Sequence, residues 1–261
     1  MDLKLKNKRA FISGSTKGIG RAIAKTLAEE GAEVIINGRS EESIAKAKAE
    51  ILKQVPDGKI KGIVCDFSNL ESVEKLISEL GEVDILINNV GVFGETDFAD
   101  IPDSEWQRFY DVNVMSGVRL SRAFLPKMLK KDWGRIIFIS SESGINIPVE
   151  MIHYGMTKTA QLAISRGLAE ITKGTNVTVN SVLPGPTFSE GVQEMTGLDD
   201  GGDRQEVEKE FFNKARPTSL IQRFAETQEV ANMVAYVASP LSSATNGASL
   251  RVDGGVVKTI Y

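Results

Sequence analysis

The sequence predicts an α/β fold: a doubly wound sheet of about seven parallel strands with helices on both faces. Three observations carry this. Short runs rich in Val and Ile recur along the chain, each is followed by an amphipathic stretch, and the junction after the first run is rich in glycine. Such alternation is the pattern of βαβ units, and strands apolar on both faces belong to a sheet covered on both sides. With 261 residues, 41% hydrophobic and 25% charged, the chain suits one domain over 1–261, and no repeat or low-complexity linker divides it.

The elements follow in order. A strand over 9–13 gives way at Gly14 to a helix over 18–30, and a strand over 33–37, built on Val34, Ile35 and Ile36, precedes a helix over 41–54. A third strand over 60–65 leads to a helix over 69–80, whose start, Ser68-Asn69-Leu70-Glu71, has the form of a capping box. The run at 84–88 precedes a long helix over 104–130, and the run at 135–140 precedes one over 152–173. Strand 176–183 ends the regular alternation; a helix over 227–238 and a strand over 249–252 close the chain. Between them, 187–220 is irregular, with Gly191, Gly197, Gly201 and Gly202, the acids Asp199, Asp200 and Asp203, and a short helix over 205–214. A long segment of this kind inside a domain is expected to be a functional lid.

Composition excludes several functions. The net charge of -4 with no basic run argues against nucleic acid as a partner. The apolar runs are too short to span a bilayer, and Met1-Asp2-Leu3-Lys4 has no apolar signal region, so the expected location is cytoplasmic with no membrane partner. Cys65 and His153 are the only residues of their types, which excludes an internal disulfide and a His/Cys metal site; no metal is expected.

Two motifs carry chemistry. Gly14-Ser15-Thr16-Lys17-Gly18-Ile19-Gly20 lies where a strand meets a helix, so its backbone can approach a pyrophosphate at the helix N-terminus. Tyr154 and Lys158 are four residues apart on a predicted helix and share a face. An ammonium there is expected to favour the ionised phenol and so fit it for proton transfer.

The Gly-xxx-Gly-x-Gly spacing, Asn88-Asn89-Val90-Gly91, Asn113, Ser141, the Tyr154/Lys158 pair, Pro184-Gly185 and Asp253-Gly254-Gly255 occur in one order along nearly the whole chain. In this the sequence resembles the short-chain dehydrogenase/reductase family, whose members have a Rossmann fold; Val90 departs from the family's usual Ala. The resemblance implies that Ser141 hydrogen-bonds a substrate oxygen and Tyr154 donates or accepts its proton. Lys158 would lower the phenol pKa and hold the nicotinamide ribose, and Asn113 would position a water at the end of the relay. It also implies that Asp66 meets the adenine with Phe67 beside it, that Asn89 and Gly91 line the adenosine side, that Pro184 and Gly185 shape the loop under the ring, and that Thr187 contacts the nicotinamide amide. Of the neighbouring serines, Ser141 is preferred to Ser140 on its spacing to Tyr154. A homotetramer is implied as well, through the long fourth and catalytic helices and the last strand.

The end of the second strand bears on the cofactor. An NAD enzyme places a carboxylate there for the ribose hydroxyls; this chain has Asn37-Gly38-Arg39, with Lys17 in the glycine loop. Two cations and no carboxylate suit a 2′-phosphate, so NADP(H) is expected over NAD(H). The expected function is hydride transfer between NADP(H) and a small carbonyl or secondary alcohol, as a ketone reductase. Three other readings stay open: a 3-oxoacyl-carrier-protein reductase, although the acidic lid would repel an acidic carrier; an NAD-dependent alcohol or sugar dehydrogenase; and a dinucleotide-binding sensor without catalysis. Substrate choice is expected to lie in 142–152 and 187–220. His153, Trp106 and Trp133 are expected to pack.

Overall fold

In a computed structural model, which describes residues 1–198 and 201–260, the apolar runs pair as strands. Asp199 and Asp200, of the expected acidic cluster, lie outside the described residues. Strands β1 (Arg9–Ile12), β2 (Glu33–Gly38), β3 (Lys59–Val64), β4 (Ile85–Asn88), β5 (Gly134–Ile139), β6 (Val177–Pro184) and β9 (Ser249–Val252) form a seven-stranded sheet in the order β3-β2-β1-β4-β5-β6-β9. Every pairing is parallel. The strand order reverses between β1 and β4, and at such a switch point the loops part to leave a crevice at the carboxyl ends.

Period-two alternation sorts the strand residues between two cores. Ile12, Val34, Ile36 and Ile137 pack with helices α1 (Gly18–Glu29), α2 (Glu41–Gln54) and α9 (Thr227–Ala238), through Ile23, Leu27, Ile44 and Val230. Phe11, Ile35, Ile136 and Phe138 point the other way, against α3 (Leu70–Leu80) and α5 (Ser116–Lys131), through Leu76, Leu120 and Phe124. Of the stretch expected to meet other subunits, Leu120, Phe124, Leu125 and Met128 therefore face their own core. Among the described residues, no helix is long and apolar enough to cross a membrane.

Three local expectations are corrected. The helix expected over 104–130 is present but not uniform: α4 (Asp103–Phe109) widens without a gap into a π-helical stretch, Tyr110–Met115, before α5. The expected capping box at Ser68 is absent, because Asn69 caps α3, accepting from the Ser72 N–H at 2.9 Å, while Ser68 bonds Asp66. The segment read as mostly irregular holds, besides the expected helix over 205–214, which is α8 (Arg204–Lys214), a second and unexpected one, α7 (Glu190–Thr196). It is pinned at its base by a second sheet, in which β7 (Thr187–Phe188) pairs with β8 (Ala225–Glu226). The catalytic helix of the sequence reading is α6 (Ile152–Ile171).

Candidate active site

The glycine loop is held by side chains from three strand ends. Asn37 Oδ1 accepts from the Gly14 N–H at 2.9 Å, and Ser15 Oγ accepts from the Asn37 N–H at 2.9 Å. Asn89 Nδ2 donates to the carbonyls of Ser13 and Gly14 at 3.0 and 2.9 Å. Gly14 turns with φ of 61°, which favours glycine. Gly20 is required by closeness: a Cβ there would lie 2.5 Å from both Asn89 Nδ2 and the Gly14 carbonyl. The N-cap of α1, Lys17, makes no side-chain cap bond, and the Gly18 N–H donates to a carboxylate oxygen of Glu190 at 2.8 Å. A carboxylate held there shows that the N–H groups at this end of the helix can take an anionic partner.

Other expected contacts lie around the crevice. Lys17 is exposed, 4.0 Å from Glu194, and lines a groove with Thr16, Ser43 and Lys46. Arg39 is exposed just past β2. The exposed Asp66 accepts from the Ser68 N–H and hydroxyl, which hold its carboxyl below the usual range with smaller help from Arg39. Phe67 departs from expectation: its ring is buried in the core among Leu76 and Leu80, because the turn after β3 directs it inward, so only its backbone is left for a ligand.

The remaining residues converge. A cleft of about 230 Å³ is lined by Ile19, Asn89, Gly91, Ser141, Tyr154, Lys158, Pro184, Gly185 and Thr187, with Phe93, Met151, Val192, Met195, Phe211 and Phe224 as apolar walls. Ser140 donates its hydroxyl to the Lys158 carbonyl at 2.8 Å and so ties β5 to α6. Ser141, one residue on, is hydrogen-bonded to the Tyr154 phenol. Asn113 is buried in the π-helical stretch: its Oδ1 accepts from the Val92 N–H at 2.7 Å and its Nδ2 donates to the Val92 carbonyl and Thr157 Oγ1. Its amide thus holds the loop after β4 against α6.

Burial overturns one expectation about the pair. The Tyr154 phenol is pushed up to about 12, chiefly by desolvation, which outweighs the Ser141 hydrogen bond. Lys158 is pushed down to about 7 by the same cause. Its Nζ sits 5.5 Å from the Tyr154 ring centroid and donates to the Ile139 carbonyl at 2.9 Å and Gln161 Oε1 at 3.4 Å. The ammonium is aimed at other acceptors, and the phenol does not gain the lowering that helix spacing alone predicts.

Sequence reasoning missed several residues here. Gln161, one turn beyond Lys158, also donates to the Asn113 carbonyl at 2.6 Å and so joins two expected catalytic residues; its place on the face of Lys158 was the available signal. Asn37 was read only as a missing carboxylate, although it holds the glycine loop. Glu142 and Arg216 lie in the two segments expected to govern substrate choice, but their pairing, a buried ion pair at 2.8 Å on the cleft wall between residues 74 positions apart, had no local signal. His153 packs as expected, with its ring 4.1 Å from Phe109 and 6.0 Å from Trp106, and burial lowers its pKa.

Comparison with known proteins gives consistent results. A family model described as short chain dehydrogenase matches residues 8–197. The uncharacterized oxidoreductase YvaG of Bacillus subtilis (strain 168) is 49% identical over the full length of both chains. The 3-oxoacyl-[acyl-carrier-protein] reductase FabG of Aquifex aeolicus (strain VF5) is 34% identical, covering 98% of this chain and 100% of its own. Among solved structures, L-sorbose reductase from Gluconobacter frateurii, complexed with NADPH and L-sorbose, matches with a TM-score of 0.91 at 29% identity, covering 100% of both chains.

Proposed function

The chain belongs to the short-chain dehydrogenase/reductase family of oxidoreductases, and from that premise we propose that it is an NADP(H)-dependent ketone reductase acting through Ser141, Tyr154, Lys158 and Asn113. The observation that carries this reading is the convergence of Ser141, Tyr154 and Lys158 in one cleft with Ile19 of the glycine loop and with Gly91, Pro184, Gly185 and Thr187. A reduced nicotinamide bound there would supply the hydride. The protein's own residues do the rest. Ser141 orients the carbonyl oxygen and stabilises the charge that develops on it. Tyr154, whose phenol burial keeps protonated, donates its proton to that oxygen. Lys158, poised near 7, exchanges protons readily and can restore the phenol, and Asn113 and Gln161 keep the loop and Lys158 in register. The segment between β7 and β8 serves as the lid.

NADP(H) is favoured because the cations Arg39 and Lys17 lie exposed just past β2 and in the glycine loop, and the end of β2, Asn37-Gly38-Arg39, offers no carboxylate for ribose hydroxyls. The L-sorbose reductase complexed with NADPH supports the same reading. A carbonyl panel assayed with NADPH and NADH tests it: turnover with NADPH preferred is the expected result, and tight NADPH binding with no turnover on any carbonyl would instead favour the sensor.

Reduction of a 3-oxoacyl group on an acidic carrier is a second reading, favoured by the FabG relative. The surface opposes it: Lys131 is bound to Asp84 at 2.6 Å, and the adjacent Asp132 carboxylate accepts from Asn176. Saturable turnover of a carrier-bound substrate at physiological salt would establish it.

A further inference from the structure

Beside the reacting groups, the cleft holds a buried carboxylate that hydride transfer does not use. Glu142 follows Ser141 and opens a single 3-10 turn, Glu142–Gly144, whose N-cap is Ser141 itself. Its side chain is 3% exposed, and it lines the same cleft as Ser141 and Tyr154. One oxygen is committed: Oε1 accepts from the Ser143 hydroxyl at 3.0 Å and from Arg216 Nε at 2.8 Å. The other is not. Oε2 is buried and has no hydrogen-bond partner among the described residues.

A purely structural Glu–Arg pair would place both carboxylate oxygens on the guanidinium fork, the geometry that makes such pairs strong. Arg216 gives Glu142 only its Nε and spends Nη1 on the Ala215 carbonyl at 2.7 Å and Glu150 at 3.4 Å. Oε2 is thereby left as an unmet buried acceptor, a state that native structures rarely leave without a purpose. What completes it must be a donor. Arg216 is shared between Glu142 and Glu150, and Lys158 in the same cleft supplies a second cation, so the group that completes Oε2 need bring only a hydrogen bond, which a neutral hydroxyl does.

We propose that Glu142 is a specificity-determining residue whose Oε2 accepts a hydrogen bond from a hydroxyl next to the reacting carbonyl, so that the substrates are hydroxylated ketones rather than plain ketones or 3-oxoacyl groups. This rests on the ketone-reductase reading and deepens it. Glu142 lies close enough to Tyr154 for its charge to raise the phenol pKa, and both line the cleft with Ser141, so the hydroxyl it reads belongs beside the carbonyl bound at Ser141 and Tyr154. The reaction balances as an ordinary reduction: hydride from the reduced nicotinamide goes to the carbonyl carbon, the Tyr154 proton goes to its oxygen, and a vicinal diol and oxidised cofactor result. Arg216 reaches Glu142 from just beyond α8, so the same segment that covers the cleft also orients the carboxylate.

The test compares 3-hydroxybutan-2-one with butan-2-one, with NADPH as reductant, in the wild type and in Glu142→Ala. In the wild type, kcat/KM is expected to favour the hydroxyketone by about 10⁴-fold or more, as in sites built to bond a substrate hydroxyl. In Glu142→Ala that ratio is expected to collapse toward one; taken within one enzyme, it is insensitive to loss of folded protein. If the variant does not fold, the wild-type ratio alone decides. A wild-type ratio near one, or a large ratio that survives Glu142→Ala, would overturn the inference while leaving hydride transfer standing. Turnover of neither ketone would overturn it too, and calorimetric NADPH binding with a wider carbonyl panel then shows whether the reductase reading falls with it.

Discussion

Replacing Gly20 with Ala puts a methyl where the glycine loop has no room. The new Cβ would lie 2.5 Å from Asn89 Nδ2, 2.5 Å from the Gly14 carbonyl oxygen and 2.9 Å from Ser15 Cα. Two of these are backbone atoms, and the third is fixed by its own bonds to Ser13 and Gly14, so none can yield cheaply. Overpacking costs about 1–3 kcal/mol, and each Asn89 hydrogen bond lost adds about 1 kcal/mol, for a total of about 3–5 kcal/mol. For a chain of this size that lowers Tm by about 10 °C. Because the same atoms form the pyrophosphate cradle, the Kd for NADPH is expected to rise at least about tenfold, for which 1.4 kcal/mol at the cradle suffices. Differential scanning calorimetry and calorimetric titration read the two effects. Gly167→Ala, on α6 with nothing within 4 Å of the new methyl, is the matched control. A Gly20→Ala protein with wild-type Tm and wild-type NADPH affinity would refute the cradle argument.

Lys158 gives a pH test. Its folded pKa of about 7 lies below the ordinary 10.5, so the unfolded chain binds the proton more readily. The resulting cost to stability is fully present below about pH 7 and is relieved as pH rises toward 10.5. The Tm of Lys158→Met relative to wild type is therefore expected to fall between pH 6 and pH 10, and a constant difference would contradict the lowered pKa. Gln161→Leu strands the buried Asn113 carbonyl and removes an acceptor from Lys158; a loss of about 1–3 kcal/mol in urea unfolding is expected, and no loss would mean the bridge is idle. In Arg39→Asp the ratio of kcat/KM for NADPH to that for NADH should fall at least about tenfold, as loss of a charge-assisted phosphate contact requires; an unchanged ratio removes Arg39 from that role.

Local patterns made most of the fold legible. The five inner strands of the main sheet appear where apolar runs such as Val34 to Ile36 occur, because burial on both faces leaves a continuous apolar stretch, while the edge strands β3 and β9 are more open and follow from the alternation of elements. What stayed hidden depends on contacts between distant residues. The π-helical stretch Tyr110–Met115 surrounds Asn113, whose amide bonds Val92 and Thr157, and nothing within the helix announces it. Gly191, Gly197 and the clustered acids made the segment after β7 look irregular, yet α7 is capped by Ser189 and held by Glu190 on Gly18 and Arg21. Tyr154 and Lys158 share a helix face as their spacing requires, but the acceptors that draw Lys158 away, Ile139 and Gln161, emerge only once β5 packs on α6. Glu142 and Arg216 become a pair only once the segment between β7 and β8 packs against the cleft wall.

The proposal of hydride transfer with Tyr154 as the proton donor is tested most directly by Tyr154→Phe, with steady-state NADPH oxidation measured beside NADPH binding on the same preparation. Removing the hydroxyl leaves the aromatic ring that meets Phe93 edge-on, at 6.3 Å between centroids, so the cleft wall stays filled. The account predicts that kcat falls by at least about 100-fold, the range of a lost general acid, while NADPH affinity stays close to wild type. A variant that binds NADPH normally and keeps most of its kcat would contradict it.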